Sequence, residues 1–265
     1  MTTPTRVSFR QLHETGTFVL PNPWDVGSAR ILEALGFPAL ATTSSGFAAS
    51  LGRADGRAGR DELVAHVAAI TAAIEIPLNV DAERCFALDV DGIAETVDLL
   101  AAAGAAGLSI EDFDPATDRI DAQDVAVARV AAAAAACERH GMVLTGRAEN
   151  HLHGGRDLDD TIARLRAYRQ AGAGAVYAPG LTSIDDIARV VRDVGGPVNV
   201  LALPGGPSVP ELAAVGVRRV STGGSLAWAA YGGLVSAARE LQSTGTSTYL
   251  AGALPADVRA RAFPR

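Results

Sequence analysis

Leu78-Asn79-Val80-Asp81-Ala82-Glu83 and Gly107-Leu108-Ser109-Ile110-Glu111-Asp112 are the two stretches on which the reading of this chain turns. Each is a short apolar run, the pattern of a strand buried on both faces, and each stops abruptly in carboxylates. In a parallel α/β sheet or barrel the carboxyl ends of the strands bear the site. Asp81, Glu83, Glu111 and Asp112 are therefore placed to meet around one hard cation. The competing reading, for Glu111 or Asp112 taken singly, is a cap on the following helix.

Outward from these two runs the same rhythm covers the chain. Strands are expected near Phe18–Leu20, Ala39–Thr42, Leu78–Asp81, Gly107–Ile110, Val143–Arg147, Ala175–Ala178, Val198–Leu201 and Arg219–Thr222. Helical patterns follow at Val26–Leu35, Asp61–Ile74, Ile93–Ala103, Asp124–His140, Leu158–Ala171, Ile184–Val194, Val209–Val215 and Ser225–Leu241. Gly36, Gly104, Gly141, Gly172, Gly195 and Gly216 sit where helix C-caps belong. Eight strand–helix units without a competing pattern predict an α/β fold, a (β/α)8 TIM barrel. A length of 265 residues suits one such domain, 1–265, with 242–265 as a C-terminal tail. The run Ala131–Ala136 is helix former rather than linker.

Composition narrows the chemistry. The net charge is −7, which gives no electrostatic footprint for nucleic acid or an anionic membrane. All 23 basic residues are Arg, so a Schiff-base lysine mechanism is excluded. Cys85 and Cys137 stand far apart in no metal-ligand spacing, and the N-terminus lacks the charged and apolar regions of a signal peptide. A cytoplasmic protein is expected.

Other candidates share the edge with the acids. Pro21-Asn22-Pro23-Trp24-Asp25 offers an indole to a pocket floor, or a residue packed at a helix start. Thr43-Ser44-Ser45-Gly46-Phe47 offers hydroxyls and backbone N–H groups, or simply a turn. The glycine- and charge-rich segment 50–59 places Asp55 as a candidate acid or base. Arg147, ending its strand, is costly in a barrel mouth unless a carboxylate of substrate or protein faces it. His151 and His153 have a spacing open to metal ligation or to a solvated loop. Gly205-Gly206 and Gly223-Gly224 follow the last two strands, where barrels often bind phosphate, which gives a phosphosugar-type isomerase or synthase as a rival reading.

Asn22-Pro23-Trp24-Asp25 with Ser28-Ala29-Arg30, Gly36-Phe37, Thr43-Ser44-Ser45-Gly46, Asp81-Ala82-Glu83, Ile110-Glu111-Asp112, Gly146-Arg147-Ala148-Glu149 and the run Asn199–Gly206 together resemble the isocitrate lyase/phosphoenolpyruvate mutase superfamily, over nearly the whole chain. The resemblance implies a homo-oligomer, dimer or tetramer, with a C-terminal helix exchanged between subunits. It implies Mg2+ or Mn2+ near Asp81, Glu83 and Glu111, and a small carboxylate substrate whose C–C or P–C bond is cleaved through a metal-bound enolate. By position it puts Trp24, Ser44, Ser45 and Gly46 at the substrate, Asp55 on a mobile acidic loop, and Arg147 on the substrate carboxylate. Asp55, Arg147 and Glu111 are the catalytic candidates.

The chain also departs from that pattern. The Lys-Lys-Cys-Gly-His gating motif of isocitrate and methylisocitrate lyases is replaced by the loop Phe113–Asp121, and the Gly-Tyr-Gly that usually follows the metal acids by Arg84-Cys85-Phe86-Ala87. Cys85 is open to two readings, a new nucleophile or inert filler. The expected function is a metal-dependent lyase or decarboxylase of a small 2-oxo or 2-hydroxy diacid. The alternatives are a phosphonopyruvate or phosphoenolpyruvate mutase or hydrolase, or a barrel that lost its chemistry and serves as a binding protein.

Overall fold

In the computed structural model, which describes residues 3–264, eight short strands form one sheet. They are β1 (Phe18–Leu20), β2 (Leu40–Ala41), β3 (Leu78–Asp81), β4 (Gly107–Glu111), β7 (Val143–Arg147), β8 (Ala175–Tyr177), β9 (Val198–Leu201) and β10 (Arg219–Ser221). Between β4 and β7, β5 (Phe113–Asp114) and β6 (Arg119–Ile120) make a separate antiparallel ribbon. The sheet order is β1-β10-β9-β8-β7-β4-β3-β2, with every pair parallel. The two ends of the sheet approach where Ala41 N–H donates to the Pro21 carbonyl at 3.0 Å. The architecture is the expected (β/α)8 barrel.

Strand alternation sorts the residues into two sets. Val80, Leu108, Leu144, Val176, Val200 and Val220 are buried against the surrounding helices in the main apolar core. The residues that alternate with them, among them Asn79, Asp81, Ser109, Arg147, Asn199 and Arg219, point inward and line a cavity instead. Barrel interiors are usually filled with branched aliphatic side chains. This one is polar.

A helix at Pro4–Leu12, absent from the expectations, closes the amino end of the barrel. Its Phe9 is fully buried with Phe18, Leu20 and Val143, and Arg6 donates to the carbonyls of Ala101, Ala105 and His140 at the ends of neighbouring helices. The expected helices appear within a few residues of their bounds. Gly141 and Gly195 close theirs in left-handed geometry, φ 68° and 66°. Thr43-Ser44-Ser45-Gly46-Phe47 is neither turn nor open loop: a helix runs Ser44–Ser50 with Thr43 as its N-cap.

Beyond the barrel, helix Ser225–Ser243 buries only Ala227 and exposes Trp228, Leu234, Val235 and Leu241. The segment expected as a tail carries a 3-10 turn at Thr248–Gly252, tied back by hydrogen bonds to the Glu240 carboxylate, and a helix at Ala256–Ala262. The latter docks on helix Val26–Ala34 through Arg261 and the Ala34 carbonyl.

Candidate active site

Arg147 ends β7 surrounded by acid. One Nη lies 2.8 Å from Asp81 Oδ1, the other 2.8 Å from Glu149 Oε1 and 3.3 Å from Glu111 Oε2. Register explains the meeting: Glu111 pairs with Arg147 across β4 and β7, and Asp81 with Ser109 across β3 and β4. Burial alone would lower the Arg147 pKa, but Glu149, Glu111 and Asp81 overcome it and hold the group well above its ordinary value. The carboxyls feel the converse. Burial is the main cause raising Glu111 and Glu149, with Arg147 opposing in both. Glu83 rises to about 7 through burial, then through the charges of Asp81 and Asp55. One guanidinium thus pairs with three carboxyl groups and acts on a fourth, Glu83, at longer range, and the cluster is short of positive charge.

The backbone beside Asp81 is unusual. Glu83, Cys85 and Phe86 all lie in the left-handed region, φ 48°, 59° and 52°. Each such non-glycine residue costs on the order of 1 kcal/mol, and outliers of this kind cluster at functional sites. Buried donors hold the loop in place. Arg129 donates to the Arg84 and Ala87 carbonyls, and Thr96 to that of Cys85. Arg84 turns outward and grips Asp121 through its Nε and one Nη, at 2.7 to 3.3 Å. This fastens the ribbon that replaces the lyase gating motif. Phe113 adds to that hold by stacking on His153 at 3.6 Å. Cys85 is fully buried and burial pushes its thiol up to about 12, so the inert reading holds and a nucleophile there does not.

The expected acids separate into two groups. Asp81, Glu83 and Glu111 belong to the Arg147 cluster. Asp112 does not: its carboxylate faces away, accepting from Glu149 N–H (2.8 Å), Tyr168 Oη (2.6 Å) and Arg164 (3.2 Å), and it caps no helix. Asp112 is a buried brace that orients Glu149.

Above the cluster opens a cavity of about 230 Å3. Ser44, Ser45, Asp55, Asp81 and Arg147 reach it; Trp24, Gly46, Glu83 and Glu111 are not among its lining residues. The Ser44 N–H is turned to Asp81 Oδ2 at 3.2 Å. Trp24 stands behind helix Ser44–Ser50. A β-carbon at Gly46 would sit 2.9 Å from that of Trp24, so glycine is what lets the helix lie on the indole. At Gly224 a β-carbon would collide with Ser45 Oγ, so the second Gly-Gly pair gives room to a pocket hydroxyl. Asp55 is exposed at the rim. His151 bonds Thr161 and His153 stacks on Phe113, which leaves neither directed at the acids.

The donor set suits a hard divalent ion. It is all oxygen, it carries surplus negative charge, and Asp81 sits at the rim of the cavity. Among the described residues no three acids, imidazoles or thiols converge to cage an ion directly. Mg2+ binds through one or two carboxylates and keeps its remaining waters, so Asp81 would hold it directly, with Glu83 and Glu111 holding its waters.

Sequence reading passed over Asn79, Ser109, Tyr177, Asn199, Arg219 and Ser221, all on the cavity wall. A signal was present. In Leu78-Asn79-Val80-Asp81, Leu108-Ser109-Ile110-Glu111 and Arg219-Val220-Ser221, polar residues recur at period two inside apolar runs, which in a closed barrel marks the inward face.

Residues 9–242 match the family model described as phosphoenolpyruvate phosphomutase. An uncharacterized protein of Mycobacterium tuberculosis (strain H37Rv) is 35% identical over 260 residues, 96% of each chain. An oxaloacetate decarboxylase of Bradyrhizobium sp. (strain ORS 278) is 31% identical over 206 residues, 74% of this chain and 69% of that one. Among solved structures, one described as a lyase/mutase from Burkholderia cenocepacia J2315 superposes with a TM-score of 0.93 at 49% identity, covering 98% of this chain and 97% of that one.

Proposed function

Since the chain belongs to the phosphoenolpyruvate phosphomutase family, and with it to the lyases, decarboxylases and mutases of the isocitrate lyase/phosphoenolpyruvate mutase superfamily, we propose that it cleaves a carbon–carbon bond in a small 2-oxo or 2-hydroxy diacid, oxaloacetate-like, with Mg2+ or Mn2+. The observation that carries this reading is the acid cluster around Arg147, opening into a cavity of about 230 Å3. That space suits a small acid; pockets for drug-sized ligands run larger. The similarity to an oxaloacetate decarboxylase supports the same substrate class.

Asp81, Glu83 and Glu111 would hold the divalent ion, which when bound would supply positive charge where the substrate's carbonyl oxygen gains negative charge. Arg147 has its Nε and one Nη on Glu149 and the other Nη on Asp81, so it attracts the substrate carboxylate through its charge and its remaining Nη–H rather than through a free fork. Asp55 at the rim and the Ser45 hydroxyl, both lining the cavity, are the groups available to move a proton to or from the reacting carbon. Of the acids in the Phe113–Asp121 loop, Asp121 is taken by Arg84 and Asp114 bonds the Ala116 N–H.

A metal-dependent screen tests the reading: oxaloacetate, dimethylmalate, phosphonopyruvate and 2-methylisocitrate, followed by release of pyruvate or glyoxylate. Mg2+-dependent turnover is expected on one of the first two. On 2-methylisocitrate or isocitrate it stays below about 1 s⁻¹, the low end of ordinary enzymes, because the gating cysteine is replaced by a loop whose Asp114 and Asp121 are engaged and whose Asp118 is exposed to solvent. No turnover or binding of any 2-oxo acid would sink the proposal.

The apolar stripe on helix Ser225–Ser243 supports assembly through this helix, with a second copy covering Trp228, Leu234 and Leu241. Light scattering is expected to give a dimer or tetramer, and Leu234→Glu to shift it toward monomer; a monomeric wild type at micromolar concentration would refute this. Among the described residues no helix is long and apolar enough to cross a membrane. Two free buried thiols suit a reducing, cytoplasmic setting.

A further inference from the structure

At the bottom of the cavity lies a cation that forms no ion pair among the described residues. Arg219, 3% exposed, donates from Nε to Asn199 Oδ1 at 2.9 Å and from one Nη to Thr145 Oγ1 at 2.9 Å, while the other Nη faces His13 Nε2 at 3.3 Å. His13 Nδ1 is 2.8 Å from the Phe9 carbonyl, an acceptor. Nδ1 therefore carries the proton, and Nε2 offers its lone pair to the guanidinium. Burial first, and Arg219 second, push His13 down to about 3, so the ring is neutral. All three partners of Arg219 are uncharged. Burial lowers its pKa to about 10, opposed by the nearby Tyr177 phenol and reinforced by another cation, Arg147.

A buried, unpaired guanidinium is costly, and neutral acceptors recover only part of its lost hydration. Arg147 shows the ordinary remedy, since it recruits three acids. Among the described residues no acid is spent on Arg219, although its side chain reaches the same cavity. The surrounding layer is incomplete in a second way, for the Asn79 side-chain oxygen is buried without a partner. An amide turned over would donate at that position instead. Asn199 is fixed for its task by donating to Ser221 Oγ at 2.9 Å.

We propose that Arg219 is a specificity-determining residue that receives a second carboxylate of the substrate, so that the ligand is a dianion seated with one end at the Arg147 rim and its distal carboxylate on the barrel floor. This rests on the functional reading above and sharpens it: the diacid is selected over the monoacid by a charge inside the barrel. Arg219 takes no part in bond breaking. With Nε on Asn199 and one N–H of each Nη on Thr145 and His13, each Nη keeps a second N–H for a carboxylate oxygen, and the present partners hold the plane.

Calorimetric titration of the Mg2+-loaded protein with unreactive 2-hydroxy acids tests this. L-malate carries the distal carboxylate and L-lactate lacks it. The wild type is expected to prefer malate by about 30-fold, the worth of a charge-assisted hydrogen bond pair. Arg219→Met, which keeps the volume, should reduce that preference to within about 3-fold while leaving lactate binding in place. A preference that survives in Arg219→Met overturns the proposal. Should that variant fail to fold, the wild type decides with the malate monoamide that is neutral at the distal end: weakening of about 30-fold relative to malate supports a cationic seat, and equal affinity refutes it. Oxalate separates the two levels of argument. If oxalate binds and the malate preference is absent, only the floor seat fails; if oxalate does not bind either, the functional reading falls and this inference with it.

Discussion

Asp81→Asn is expected to weaken Mg2+ binding by more than about 100-fold, beyond the 10- to 100-fold typical of outer-shell changes. Both oxygens of Asp81 are oriented before any ion arrives, one by Arg147 at 2.8 Å and the other by the Ser44 N–H at 3.2 Å. Its own N–H is tied to Thr42 Oγ1 at 2.9 Å. The side chain is thus a preorganised ligand at the carboxyl edge of β3, and an amide of the same shape removes the charge without disturbing the packing. Glu83→Gln should cost less, within the outer-shell range. Titration calorimetry on proteins of matched circular dichroism would measure both; equal Mg2+ affinity in wild type and Asp81→Asn would dismiss the assignment.

Arg147→Met is expected to destabilise the protein by roughly 3–5 kcal/mol near pH 8, since it leaves Asp81, Glu111 and Glu149 without their shared cation. At about 2–4 °C per kcal/mol, the melting temperature drops on the order of 10 °C. The loss has a definite pH signature. Glu111 and Glu149 are already raised above the ordinary carboxyl range, mainly by burial and against the pull of Arg147, and removing the arginine raises them further. A carboxyl whose folded pKa exceeds its unfolded value, about 4.3, binds more protons folded than unfolded. Stability then falls as pH rises from that value through the raised folded pKa, and the penalty vanishes below it. The melting gap between variant and wild type should therefore be wide at pH 8 and narrow at pH 5. Mg2+ should stabilise the variant more than the wild type, because an added cation takes up the charge that the arginine balanced. A gap independent of pH, or no gap, would show that the carboxyls are not held by Arg147.

The eight strands are legible because each is apolar on the face that meets the helices, and because the chain repeats strand, helix and glycine at even spacing. The acids at the ends of β3 and β4 are legible for a related reason: charge that interrupts an apolar run has to be solvated or functional. Other features leave no such mark. Ser44–Ser50 is short and rich in serine and alanine, and its Thr43 cap and its packing beside Trp24 at Gly46 show only once the strands are in place. The Phe113–Asp121 ribbon is held by Arg84 and His153, neither of which is near it in sequence. Asp112 and Glu111 are adjacent and chemically alike, yet alternation sends one to Tyr168 and the other to Arg147. Arg219 opens an apolar strand, where a charge reads as a solvated end; that it lies inside the barrel follows only from closure.

The left-handed run at Glu83, Cys85 and Phe86 bears on what holds Glu83 in place. Where glycine supplies a positive φ, the shape of a loop and the identity of its residues are locked together. Here the shape is imposed from outside, by Arg129 and Thr96 gripping carbonyls from the flanking helices. The loop that carries Glu83 therefore keeps its path without a glycine, and what fixes the position of that carboxyl lies on two helices outside the loop. Arg129 and Thr96 are the residues whose loss would move Glu83 without touching the acid cluster directly.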